Sequence, residues 1–208
     1  MKNQLMSQHV RRRPFDVGHR SRQRGFSLAE VTVVIAIIIL LVIVSFPAVK
    51  GVFIQMRVPA AAGELQRLMS SLRVLGESDS ATPYASINNA RHLVPALRGS
   101  TVFKTTGSTV AHKLGGTGSV SNGTISIAPV ALGGGAAGSA IALTLTNVNH
   151  KACPVLASTL NGVSEMISVN GTAAKSLGAN NEAGSFNPVA AQARCADGDN
   201  NTFVFASR

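Results

Sequence analysis

The chain has 208 residues, long enough for one ordinary domain plus an attached segment. With 45% hydrophobic, 13% charged and 4% aromatic residues and no Trp, it is poor in the stacking side chains of a single-strand nucleic-acid groove. The net charge of +10 does not point there either: Lys2, Arg11, Arg12, Arg13, Arg20, Arg22 and Arg24 stand against Asp16 in residues 1–25, leaving twelve basic and eight acidic groups for the rest.

Residues 1–25 therefore form a basic leader, and an apolar run follows it. Glu30 is the last charge before Lys50, and Val31 to Phe46 is almost wholly aliphatic. Such a run spans a bilayer core of about 30 Å as a helix of roughly 20 residues. The basic flank places the leader in the cytoplasm and the later residues across the membrane. A secretory signal peptide or an uncut signal anchor would explain the basic start and the apolar run. Neither explains Glu30, because an acid at the head of an apolar run is costly. No A-x-A-like cleavage site follows the run.

A third reading uses each unusual residue. Cleavage after Gly25 removes most of the positive charge and gives Phe26 a new α-amine. Glu30 then lies about one helical turn away and complements the positive end of the helix dipole. An ion in an apolar surround needs a partner, and the α-amine of a neighbouring copy would supply one.

Gly25-Phe26-Ser27-Leu28-Ala29-Glu30 resembles the prepilin peptidase site of type IV pilins. The resemblance implies cleavage after Gly25 by an inner-membrane prepilin peptidase and N-methylation of Phe26. It also gives Glu30 an assembly role as the fifth mature residue. Pro47 matches a recurrent proline of the family's long first helix, where a kink is expected. Pseudopilins of type II secretion share the motif.

From Ala60 the pattern turns amphipathic. Leu65, Leu68, Met69, Leu72 and Leu75 recur at helical spacing and predict a stripe packed on a head domain. Residues 26–76 are thus expected as one helix of roughly 75 Å, weakened between 47 and 63 by Pro47, Gly51, Pro59 and Gly63. Residues 77–83 read as a loop, and Asn88–Leu97 as a short helix broken near Pro95. Beyond Gly99 strands dominate. Ser119–Ile127 reads as a hairpin centred on Asn122-Gly123. Gly133 to Gly135 form a loop without the Lys-Ser/Thr of a phosphate loop. Ile141–Val148 is the clearest strand. Pro154–Leu160 suits a helix, Met166–Val169 a strand turning at Asn170-Gly171, residues 172–186 an exposed loop, Pro188–Arg194 a helix and Thr202–Phe205 a closing strand.

Cys153 and Cys195 are either two buried thiols or a disulfide, and export across the membrane favours the disulfide. No catalytic or metal-ligating set stands out. Asp197, Asp199 and Asn201 share the spacing of half a calcium loop but lack its glycine and its final glutamate. His9, His19, His92, His112 and His150 show no paired spacing, and no nucleophile elbow occurs. No cofactor is expected.

Leu114-Gly115-Gly116, Cys153, Val169-Asn170-Gly171, Cys195 and Phe203-Val204-Phe205 resemble the C-terminal domain of type IVb pilins, including those of thin conjugative pili. The 25-residue leader fits that subclass, whereas Phe26 is more usual in type IVa pilins. The implied fold is α+β: a long N-terminal helix on an antiparallel sheet, with a disulfide-closed region 153–195 at the C-terminal edge of a head formed by residues 77–208. Residues 26–49 would form the membrane span and fibre core, and 50–76 the amphipathic half.

The implied function is non-enzymatic. The chain would be a structural, major subunit of a type IVb pilus for adhesion, aggregation or conjugation. Alternatives are a minor pilin, a type II secretion pseudopilin or a monomeric membrane-tethered binding domain. Implied partners are further copies in a helical homopolymer, the prepilin peptidase, the inner-membrane pilus assembly machinery and a host-cell or recipient-cell receptor. The precursor would sit in the inner membrane and the product in an extracellular pilus of a Gram-negative bacterium.

Overall fold

The structure, a computed structural model, describes residues 25–208, apart from the side chains of Pro47 and Ala48. The expected leader, with His9 and His19, lies outside the described residues. The chain divides into a unit ending at Ile43 and a unit spanning Val44–Arg208.

Helix α1 is assigned to Leu28–Val74, with Glu30 in its first turn and Arg73 in its last, both favourable to the helix dipole. The assignment continues through Pro47, Gly51, Pro59 and Gly63. In the first unit the run is rich in Val and Ile, which are mediocre helix formers in water. In an apolar surround only a helix satisfies every backbone group within one segment, so the composition is consistent with helix there. These residues are exposed, from Val31 at 43% to Ile43 at 69%.

In the second unit, one face of α1 is buried: Ile54, Val58, Ala61, Ala62, Leu65, Leu68, Met69 and Leu72 all join the main core. The expected stripe is present, extends further towards the N-terminus, and stops short of Leu75. That residue is 54% exposed because the helix ends at Val74 and the chain turns away.

Residues 77–83 form turns and bends, as expected. A π-helical stretch, Asn89–Leu93, runs directly into α2 (Val94–Leu97), with Asn88 Oδ1 accepting from the Arg91 amide at 2.9 Å. The expected break at Pro95 is absent. The wider turn opens the helix where the proline ring would otherwise meet the carbonyl four residues earlier.

Among the described residues seven strands follow: β1 (Lys104–Thr106), β2 (Thr109–Ala111), β3 (Thr124–Val130), β4 (Ala140–Val148), β5 (Met166–Val169), β6 (Thr172–Lys175) and β7 (Asn201–Ser207). They form one sheet in the order β1-β2-β3-β4-β7-β5-β6, with every neighbouring pair antiparallel. Helix α3 (Cys153–Leu160) and helix α4 (Pro188–Ala193) lie between β4 and β7 in the chain.

The core sits between α1 and the central pair β4–β7. Leu143 pairs with Phe205 and Leu145 with Phe203, all fully buried. Phe203 and Phe205 share a strand face and stack at 5.4 Å between centroids. On the opposite face Ala140, Ala142 and Ala206 are covered by Leu132 from the β3–β4 connection.

Two further expectations need correction. Asn122-Gly123 does not centre a hairpin: the turn is at Val120-Ser121, both with positive φ, and Ser119 bridges Asn122. Gly123 instead packs where a Cβ would lie 2.6 Å from the Gly115 carbonyl, and Asn122 Oδ1 accepts from the Thr117 amide at 2.8 Å. Residues 172–186 are not all loop either, because Thr172–Lys175 form β6 after the left-handed Asn170-Gly171 turn.

Candidate functional site

The segment Gly25 to Glu30 is exposed. Gly25 to Ser27 precede α1 without regular structure, and Phe26 and Leu28 are 80% and 83% exposed. A Cβ added to Gly25 would meet nothing within 4 Å. None of the described residues therefore crowds a side chain at that position. The first helical turn closes with the Val31 amide donating to Ser27 O at 3.1 Å and Thr32 Oγ1 donating to Ala29 O at 2.8 Å.

Glu30 is exposed in that turn and makes no ion pair among the described residues. It begins a stretch long and apolar enough to cross a membrane. Apolar side chains project around this stretch rather than along one stripe, the pattern of a helix meant for lipid or for other helices. An acid at its head has no counter-charge within the described part of its own chain.

Cys153 and Cys195 form a disulfide with 6.0 Å between Cα atoms and a sequence separation of 42. Cys153 opens α3, and Cys195 follows Arg194, the residue that caps α4. The bridge therefore closes the excursion α3–β5–β6–α4 at its mouth, beside the return into β7. The pairing expected from export is present.

Polar contacts missed by sequence reasoning fasten the second unit's part of α1 to the loops and to α3 around the sheet. Lys50 Nζ donates to Asp199 Oδ2 at 2.7 Å. The same carboxylate accepts from Asn149 Nδ2 at 2.5 Å and from the Gly116 amide at 3.1 Å. Burial alone would raise the Asp199 pKa, but these hydrogen bonds outweigh it and hold the carboxyl below its ordinary value. Near the other end, Glu165 accepts from Arg73 at 3.5 Å and from Arg208 Nε at 2.7 Å, while Arg73 Nε donates to Arg208 O. Midway, Gln66 Nε2 donates to Thr159 O at 2.6 Å and Ser100 Oγ to Glu64 Oε2 at 2.5 Å.

The calcium-like spacing resolves into separate tasks. Asp199 serves Lys50, Asn149 and Gly116, whereas Asn201 Nδ2 donates to Val148 O and Ala196 O. No cluster of three His, Cys, Asp or Glu side chains able to hold a metal occurs among the described residues. His112 is buried, with Nε2 2.8 Å from Thr146 O and Nδ1 accepting the Leu114 amide at 3.0 Å. That pattern fits a neutral ring protonated at Nε2. Burial lowers its pKa, against smaller opposing effects of Thr146 and Asp199.

Comparison with known proteins bears on both parts of the chain. The family described as PilS N terminal matches residues 57–208, and the prokaryotic N-terminal methylation motif matches residues 20–46. A comparison with curated proteins finds no match. Among solved structures, the chain is similar to a type IV b pilin from Salmonella typhi, at 20% identity and TM-score 0.45, over 70% of this chain and 94% of that one. It is also similar to TcpA, a type IV pilin from Vibrio cholerae El Tor biotype, at 15% identity and TM-score 0.44, over 74% and 99%.

Proposed function

Because this chain belongs to the PilS family and carries the N-terminal methylation motif, it is a type IV pilin, and we propose that it is the major subunit of a type IVb pilus. The observation that carries this reading is an exposed, almost wholly apolar helical stretch headed by Glu30, with the core of the second unit formed by other residues. Such a stretch is stable only in a bilayer or among like helices.

The sequence of events follows from charge. The leader and apolar run hold the precursor in the inner membrane of a Gram-negative cell. The prepilin peptidase cuts after Gly25, and Phe26 acquires an N-methylated amine. The assembly machinery brings that amine beside Glu30 of an adjacent copy, where the ion pair fixes register in a low-dielectric surround. Pro47 relieves or bends the packed helix. The head then faces outward to a receptor on a host or recipient cell, for adhesion, aggregation or conjugation.

Mass spectrometry of the mature N-terminus, with electron microscopy of cells carrying Glu30→Ala, tests the reading. A methylated Phe26 and loss of fibres in the variant are expected. A mature chain starting elsewhere, or normal fibres in Glu30→Ala, would favour a tethered monomeric domain. Fibres that persist when this chain alone is deleted would make it a minor pilin or a secretion pseudopilin.

A further inference from the structure

A groove of about 650 Å³ opens in the second unit between α1, the β1–β2 hairpin and the loop after β2. Its floor is apolar: Val49 and Phe53 are about half exposed and Ile54 is buried beneath them. Its rim carries Arg57, Lys104 and Lys113, all exposed and without an ion pair among the described residues. No acidic residue lines it, and Lys50, which also borders it, is already held by Asp199.

Lys113 is presented in an unusual way. Its φ of +54° lies in the left-handed region, which a non-glycine residue seldom occupies. The next amide, that of Leu114, is fixed on buried His112 Nδ1.

The groove also has a place along the chain. Lys50 is the first charge after Glu30, so a membrane span drawn from the apolar run ends beside the residues that line the groove. Long basic side chains over an apolar floor at that level are suited to reach headgroup phosphates while their stems cover lipid tails.

We infer that the groove lined by Arg57, Lys104 and Lys113 binds the headgroup of an anionic phospholipid in the outward leaflet while the pilin waits in the membrane. The inference rests on the membrane-delivered reading above. A bound lipid would cover Val49 and Phe53 and orient the head before assembly, and would leave when other copies replace the bilayer.

Native mass spectrometry of the full chain, extracted in detergent containing equal phosphatidylglycerol and phosphatidylcholine, tests it. Wild type should retain about fivefold more phosphatidylglycerol, falling towards parity in R57Q/K104Q/K113Q and persisting in K104R/K113R. The single K104Q and K113Q variants, both at exposed side chains, should each show an intermediate preference, which keeps the test alive if the triple variant misfolds. Equal adducts in wild type overturn the site alone. So does complete displacement of the lipid by excess inorganic phosphate, which would mark a free-anion site, or a second copy of the chain in place of the lipid. A chain recovered without detergent overturns both this inference and the membrane-delivered reading.

Discussion

Lys50 on α1 and Asp199 in the turn before β7 stand 149 residues apart in the chain and 2.7 Å apart in space. Their contact joins the helix to the 116, 149 and 199 loops at one point, because the same carboxylate also holds Asn149 and the Gly116 amide. The two partners are not equivalent. Asp199 is the shared acceptor, whereas the Lys50 side chain is 53% exposed.

Asp199→Ala should therefore destabilise the head by about 2 kcal/mol, since it strands Asn149 and an amide as well as the cation. Lys50→Ala should cost less than about 1 kcal/mol, because its charge is largely solvated. Urea unfolding of the two variants in detergent, followed by far-ultraviolet circular dichroism, compares them directly.

Acid should weaken the fold in two stages. The His112 pKa is lowered in the folded chain, so the unfolded chain takes up the proton first. Stability should decline as pH falls below about 6.5 and continue to do so until the folded ring protonates. Protonation at Nδ1 would also set two N–H groups against each other, that of the ring and that of Leu114. For Asp199, whose folded pKa is also lowered, the contribution is complete above about 3.8 and is lost as pH falls further through the folded value. In His112→Gln the first stage should vanish from a plot of urea midpoint against pH.

Cys153→Ser should lower stability by about 4 kcal/mol on a chain-entropy estimate for the bridged loop. Pilin abundance in the envelope should fall accordingly. Wild-type abundance in that variant would show that the bridge is dispensable for folding.

Gly25→Val should leave uncut precursor in the membrane while the head remains folded, because a Cβ at that position meets nothing among the described residues. Glu30→Gln should likewise leave the head's unfolding midpoint unchanged and abolish fibres. A shift in that midpoint would assign Glu30 a role in folding instead. Immunoblots for precursor size and electron microscopy separate the two defects.

Much of the fold could be read along the chain wherever local pattern and burial agree. The alternation of Ile141, Leu143 and Leu145 marked β4, and Pro154 and Pro188 marked the starts of α3 and α4. The two cysteines had only each other as partners. What escaped was set by distant contacts. Strands β1 and β2 have three residues each and no alternation long enough to detect. Strand β6 reads Thr-Ala-Ala-Lys, with little strand propensity, and is held by pairing with β5. Asn122-Gly123 looked like a hairpin turn, but its glycine was needed for close approach to the Gly115–Gly116 backbone. The Lys50–Asp199 clamp had no sequence signal, since an Asp-rich turn announces neither its donors nor its distance from them.

Strand β7 follows every other strand among the described residues yet lies between β4 and β5 in the sheet. While the polypeptide is being exported, the two flanking strands must wait with unpaired edges until these residues emerge. A translocation arrest upstream of Asn201 would thus leave the half-built sheet open to envelope proteases. Arrival of Phe203 and Phe205 completes the core.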